Sequence, residues 1–273
     1  MGNTVMPLFY QWIVIYMGRA ELQFEKFSRG NLTVELCQSD RSLQQVWRFR
    51  SAVFRGEMQG HDGDIWDKDY LNFCIKSIDT NVILGYFRLG VFPSGAAAVH
   101  GYSAQFFDLT PLSLFDRPVL ELGRFAIDPH KGNSDVFRLA WGVVTQLVDQ
   151  NHVSFLFGCS SFAGMQPQAH TAAFRYLCPN NHIALDGWRP VFHDGYRLAQ
   201  ALDDHHNDRV TDLPPLLRAY LALGGKVSDH AAIDPDLGTT LLFTGWMWHK
   251  FHKKEHSVCG QSSPRIDAAA VSA

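Results

Sequence analysis

Residues 120–129 read LELGRFAIDP, and they decide the fold: the stretch has the apolar frame of a buried strand, yet it carries Glu121 and Arg124 three positions apart. Side chains alternate along a strand, so Glu121 and Gly123 share one face and Leu122 and Arg124 the other, unless a bulge intervenes. Burying two charges costs several kcal/mol per ion without partners. A structural ion pair and a chemical site both account for such a strand.

Elements of α/β type are legible on either side. Downstream, residues 130–134 (HKGNS) open a helix over 135–151, followed by a strand over 153–158 (VSFLFG). A strand, a glycine-containing turn, a helix and a second strand place helix N–H groups where an anion could dock. Upstream, residues 71–78 and 82–91 read as two strands joined by Asp79, Thr80 and Asn81, a hairpin signal. Between that hairpin and the central strand, residues 92–118 are irregular but rich in Phe and Leu, as in loops that cover a core or line an apolar site. Near the start, 32–38 (LTVELCQ) suits a first strand, and Ser39 or Asp40 can cap a helix reaching Phe54. After the second β-α unit come a helix over 166–177, a polar His-rich stretch over 178–212, a helix over 213–223 and an apolar strand over 239–248.

Several side chains stand out against this frame. Arg50 occupies the apolar stripe of the first helix (43, 46, 47, 50, 54), where it needs an anion or must send its guanidinium to solvent along a packed stem. In isolation the second arrangement is the commoner. The loop 60–70 (GHDGDIWDKDY) gathers Asp62, Asp64, Asp67 and Asp69. It lacks the ligand spacing and terminal Glu of a calcium loop, so no metal is expected there. A solvated loop and a site for a cationic substrate remain open, with Trp66 offering a cation–π face. Cys159-Ser160-Ser161 ends the strand after the helix, but GCSSF is not a nucleophile elbow, and a Cys in that place is usually simply buried.

Composition excludes broad classes. A net charge of −3 over 273 residues gives no footprint for nucleic acid. Five Cys without any CxxC pair signal neither a disulfide framework nor a zinc knuckle, so a reducing cytoplasm is expected. The apolar run within residues 5–17 (VMPLFYQWIVIYM) contains Pro7 and Gln11 and is shorter than a bilayer-spanning helix. It is read as part of an N-terminal extension over 1–31, either packed on the domain or touching a membrane interface. The principal domain is placed at 32–248. Residues 249–273 are basic, carry His249, His252, His256 and Cys259, and read as a disordered tail.

Several blocks together resemble one family. RFRSAVFRGEMQG (48–60), the DxxDKD segment (64–69), VLELGRFAIDP (119–129), FLFGCSSFAG (155–164), LPPLLRAYLALGG (213–225) and AIDPDLGTT (232–240) occur in the order shown by bacterial ornithine-lipid N-acyltransferases, members of the GNAT superfamily. A remoter similarity is to acyl-homoserine-lactone synthases. The resemblance implies a mixed, mostly antiparallel sheet with helices on both faces, splayed between the central strand and the strand at 153–158. It implies transfer of a 3-hydroxyacyl chain from acyl carrier protein to the α-amine of ornithine, giving lyso-ornithine lipid, with no further cofactor and with peripheral contact to the inner membrane open. Glu121 is then the candidate base and Arg124 its catalytic companion. Arg50, Phe54, Asp64, Asp67 and Arg88 are assigned to the amine substrate, with Asp64 and Asp67 alternatively clamping Arg50 and Arg124. Phe125, Gly132, Cys159 and Ser160 are assigned to the acyl donor. Tyr70 stands where the family leads one to expect a His, and the glycine loop after Pro129 is shorter than the GNAT phosphate pattern, which suits a carrier-protein donor. A synthase of homoserine-lactone type, an acyltransferase for another amino acid and a non-catalytic acyl-chain or membrane-binding protein are the alternatives.

Overall fold

A computed structural model describes residues 12–17, 20–25, 27–184, 187–203 and 213–248. The tail at 249–273 and the first eleven residues lie outside the described residues, as do the proposals made for them. Two strands, β1 (Trp12–Met17) and β2 (Ala20–Glu25), form an antiparallel hairpin of their own. The main sheet then begins at β3 (Ser28–Arg29) and β4 (Leu32–Leu36). Helix α1 (Asp40–Arg55) follows, with Ser39 and Ser42 closing a capping box and Gly56 ending it in the left-handed region. The hairpin β5 (Leu71–Ser77) and β6 (Ile83–Phe92) and the central strand β7 (Val119–Ile127) come next. They are followed by α3 (Ser134–Gln150) and β8 (Phe155–Ala163), the short α2 (Gly95–Ala98) having intervened in the loop between β6 and β7. The chain closes with α4 (Thr171–Leu177), the two-residue β9 (Tyr196–Arg197), α5 (Pro215–Ala222), β10 (Lys226–Asp234) and β11 (Thr239–Met247).

The sheet order is β3-β4-β5-β6-β7-β8-β11-β10-β9, antiparallel at every pairing except β7 with β8. That parallel pairing holds from Val119 with Phe155 to Leu122 with Gly158 and then stops, while both strands continue. The strands therefore diverge after four residue pairs, which is the expected splay. Gly158 sits at the fork: a Cβ there would lie 2.2 Å from the Leu122 carbonyl oxygen, so the two backbones approach this closely because the residue is glycine.

Both faces are covered. Leu120, Leu122, Phe73, Phe87 and Leu89 pack on α3 through Val136, Leu139, Ala140 and Val143. On the opposite face, Val46 of α1 meets Cys74, Tyr86 and Ala126, while Phe107, Leu109 and Leu112 from the β6–β7 loop cover Phe155, Phe157 and Phe243.

Three expectations change. Strand β8 runs five residues past Gly158, so Cys159 to Ser161 lie within it, paired with Phe243 to Leu241 of β11, and not at its end. Strand β10 is not legible as a strand because its buried positions include Ser228, His230 and Asp234, which erase apolar alternation. Finally, β7 has the bulge that strict alternation leaves out. Its register with β6 steps from Arg88 opposite Gly123 to Tyr86 opposite Ala126, inserting one residue, and Arg124 takes φ 51°. This turns the Arg124 side chain onto the Glu121 face, where it meets Asp64 and Asp236.

Candidate functional site

The splay opens a cavity of about 330 Å³. Its floor is β7 from Leu122 to Phe125, one wall is β8 from Cys159 to Ser161, and α5 contributes Pro214 to Leu216. Asp234, Leu237, Thr239 and Leu241 close it from the β10–β11 hairpin, with Phe54 and Tyr102 from the α1 face. Of the residues singled out in the sequence, Phe54, Arg124, Phe125, Cys159 and Ser160 line this cavity. Arg50, Asp64, Asp67, Arg88 and Glu121 stand behind it on the α1 face, and Gly132 lies beyond its edge.

Glu121 is fully buried and accepts four hydrogen bonds. They come from the Tyr70 hydroxyl, the Ser103 hydroxyl, the Ser103 N–H at 2.6 Å and the Tyr102 N–H at 3.0 Å. Donors on both oxygens suit an ionised carboxylate. Tyr70 thus fills the place where an imidazole was expected, and its buried hydroxyl, facing the Glu121 charge, is pushed well above the usual phenol range. The loop can wrap the carboxylate because Gly101 has no side chain: a Cβ there would lie 2.5 Å from Glu121 Oε2. Ser103 also links Glu121 to the cavity, accepting from the Cys159 thiol at 3.3 Å. Burial pushes that thiol far up, which disfavours the thiolate a nucleophilic role would need.

Beneath α1 the acidic loop and the buried arginines form one network. Arg50 is fully buried, so its guanidinium does not reach solvent as an isolated Arg would. It bonds Asp62 at 2.9 Å, Asp67 at 2.7 Å and Asp64 at 3.4 Å. Asp67 also accepts from Trp47 Nε1 and from Arg88, each at 2.7 Å. Arg88 reaches Asp64 at 2.5 Å, and its guanidinium lies over the rings of Tyr70 and Tyr102. Arg124 bonds the same Asp64 at 3.2 Å. Burial opposes the Asp64 charge, but the hydrogen bond and charge of Arg88, with Arg50 and Arg124, outweigh it and hold the carboxyl below the usual range. Asp64 and Asp67 thus clamp arginines, an arrangement compatible with either or both of the roles read for them.

The turn after β7 does not form an open anion cradle. His130 and Lys131 donate their N–H groups to Asp128 Oδ1, Gly132 donates to the Asp128 carbonyl, and Asp135 and Val136 donate to Asn133 Oδ1. Asp135 adds a negative charge in the first turn of α3. Gly132 is required by the tightness of the turn, since a Cβ would lie 2.1 Å from Ile127 Cγ2. The described residues hold no group of three or more His, Cys, Asp or Glu arranged to bind a metal ion. No helix among them is long and apolar enough to cross a membrane.

Sequence reasoning passed over Tyr102, Ser103, Asp234 and Asp236. The first two lie in a loop without periodicity, and the last two flank a Pro in a segment read only as a block of resemblance.

A mixed sheet forked at a bulged central strand, with a cavity in the fork, is the architecture of an acyltransferase of the GNAT class, and the family model "Acetyltransferase (GNAT) domain" matches residues 49–142. The L-ornithine N(alpha)-acyltransferase of Brucella abortus is 30% identical over 78% of this chain and 83% of its own length. That of Agrobacterium fabrum is 27% identical over 77% and 79%. The chain belongs to this L-ornithine N(alpha)-acyltransferase family, whose chemistry is amide-forming acyl transfer. Among solved structures, the AHL synthase LasI aligns at 12% identity over 78% of this chain and 88% of its own, with a TM-score of 0.41.

Proposed function

We propose that this chain moves a (3-hydroxy)acyl group from the thioester of acyl carrier protein to the α-amine of ornithine, forming lyso-ornithine lipid. The observation that carries the reading is the fork after Leu122 and Gly158, where β7 leaves β8 and an apolar-walled cavity begins beside a caged carboxylate. In the fork, the thioester carbonyl lies along the bulged segment of β7, whose N–H groups on the β8 side have no strand opposite them. Backbone donors fixed at that position stabilise the oxyanion of the tetrahedral intermediate without reorganising.

The α-ammonium, with an ordinary pKa of about 8, must lose a proton before it attacks. In this reading Glu121 is the proton acceptor. Cys159 sulfur takes the amine proton as its own moves to Ser103 Oγ, and the Ser103 hydroxyl proton moves to Glu121 Oε1. Attack then forms the C–N bond, and collapse breaks the C–S bond as a second proton passes from the attacking nitrogen to the leaving sulfur, giving the amide and the carrier thiol. The occupied N–H groups of the 128–136 turn favour a carrier-bound donor over one gripped by a diphosphate. The names of the relatives support ornithine as acceptor, and the product's acyl chain suits release at a membrane surface.

The reading is tested with purified protein, ornithine and a 3-hydroxyacyl donor presented on acyl carrier protein or on coenzyme A, following thiol release. Ornithine-dependent release with the carrier-bound donor, at least about tenfold faster than with coenzyme A, is expected. Release that ignores ornithine, or that prefers coenzyme A, contradicts it.

A further inference from the structure

Two buried charges in the cavity keep hydrogen-bonding capacity in hand. Arg124 is all but buried, with its side chain 5% exposed, and it lines the cavity. Its Nη2 is held by Asp64 and lies 3.7 Å from Asp236, while Nε and Nη1, the latter 4.0 Å from Asp62, have no hydrogen-bond partner. Asp234, 2% exposed, lines the same cavity. Its Oδ1 accepts from the N–H groups of Asp236 and Leu237 at 3.0 and 3.2 Å, which folds the hairpin tip. Its Oδ2 has only the Tyr102 hydroxyl at 3.5 Å, and among the described residues no Lys, Arg or His pairs with it. Thr239, opposite Asp234 in the β10–β11 register and also on the cavity wall, has an unpartnered buried hydroxyl. Tyr102 spans the two charges, with its ring beneath the Arg124 guanidinium at 5.5 Å and its hydroxyl toward Asp234.

A buried carboxylate with one oxygen unmatched, and a buried guanidinium with two donors unmatched, are each costly until a complementary group arrives. They stand at the two ends of one aromatic side chain, so the complement is a molecule bearing an anion and a cation a few bonds apart. We infer that Arg124 and Asp234 read the two ends of the acceptor amino acid: Arg124 takes its α-carboxylate, and Asp234, with Thr239, takes its side-chain ammonium. This inference rests on the reading of the chain as an amino-acid N-acyltransferase, and it adds the residues that make the acceptor a diamino acid. Held at both ends, the acceptor keeps its α-amine free, and the amine adjoining the Arg124-bound carboxylate lies next to the bulge where the thioester carbonyl rests. A site built to pair a charge rejects the analogue lacking it, because its own charged group is left unmatched.

The test uses L-ornithine, its analogue without the side-chain amine L-norvaline and the decarboxylated diamine 1,4-diaminobutane, measured both by calorimetric binding to the donor-free protein and as acyl acceptors. The variants are Asp234→Asn, which retains an oxygen for the Asp236 and Leu237 N–H groups, and Arg124→Gln. Wild type is expected to favour ornithine over norvaline by about 100-fold. Asp234→Asn should collapse that ratio toward one while leaving the preference for ornithine over the diamine, and Arg124→Gln should do the reverse. An unchanged ornithine-to-norvaline ratio in Asp234→Asn, or a loss of both preferences in either variant, overturns the assignment. If wild type acylates ornithine and norvaline equally, the assignment falls while the acyl-transfer reading stands; if it acylates no amine, the acyl-transfer reading falls. In that last case, calorimetric preference of wild type for ornithine over both analogues, with each variant losing only its own preference, supports the assignment, and any other pattern overturns it.

Discussion

Beneath α1, Arg50 donates to Asp62, Asp64 and Asp67, and Asp67 in turn accepts from Arg88 and Trp47, so these charges answer one another. On the bulged segment of β7, Arg124 is bonded through a single nitrogen, and across the cavity Asp234 keeps one oxygen nearly free. Both regions bury arginine and aspartate, but they do different work. In the first region every carboxylate is paired without a ligand and Arg88, although its Nε and Nη2 are unmatched, does not line the cavity, so the network fixes the acidic loop against α1. The second is complete only with a ligand. Burial of a charge is therefore no sign of a binding site; unmatched hydrogen-bonding capacity facing a cavity is.

The sharpest way to break this contrast is to remove one member of the closed network. Arg50→Met removes the buried cation shared by Asp62, Asp64 and Asp67, leaving Asp62 to Arg55 and Asp67 to Arg88, and a loss of about 3–5 kcal/mol in unfolding free energy is expected from urea denaturation. A loss below about 1 kcal/mol would mean that the network is not the scaffold it looks like. Gly101→Ala ranks next, because its Cβ would meet Glu121 Oε2 at 2.5 Å and the Ala98 carbonyl at 3.2 Å. About 1–3 kcal/mol of destabilisation is expected, together with a fall in acyl-transfer rate as the Glu121 cage shifts. Stability falling without any change in rate would separate the cage from the chemistry.

The smallest effect lies at the rim, where Asp236 bridges Arg55 at 2.9 Å and Arg124 at 3.7 Å with 60% of its side chain exposed. Asp236→Asn should cost less than about 1 kcal/mol near neutral pH. Its hydrogen bond to Arg55, despite partial burial and helped by the charges of Arg55 and Arg124, holds the carboxyl below the usual range. A carboxyl depressed on folding contributes stability above its unfolded pKa of about 4 and loses it as pH falls through the folded value. Urea midpoints measured on acidification should therefore fall less steeply in Asp236→Asn than in wild type, with the remaining slope owed in part to Asp64. Parallel curves would remove Asp236 from the account.

Much of the fold was readable because its elements carry strong local signals. Ser39 caps α1, Asp79 to Asn81 turn the β5–β6 hairpin, and the apolar 120–129 strand precedes an amphipathic helix. The site was readable in part. Glu121 and Arg124 stood out as charges on an apolar strand, and Phe54, Phe125, Cys159 and Ser160 do line the cavity. What alternation could not supply was the bulge at Arg124, a departure of one backbone conformation that moves a side chain across the sheet. Nor could it supply Asp234. A buried carboxylate on a strand of Ser, His and Ala has no apolar period to stand out against, and its importance appears only when β10 and β11 fold the hairpin over the fork. Tyr102 and Ser103 owe their roles to a loop whose path follows from long-range packing on Phe157 and Phe243.

The most direct test of the central claim is mass spectrometry of lipid extracts from bacteria expressing the chain, wild type beside Glu121→Gln, with both proteins shown to be folded. A new amide-linked acyl amino acid, carrying ornithine and present with wild type alone, is the predicted result. The same lipid at equal abundance in Glu121→Gln, or no acylated amine from wild type in cells that supply ornithine and 3-hydroxyacyl carrier protein, would contradict it.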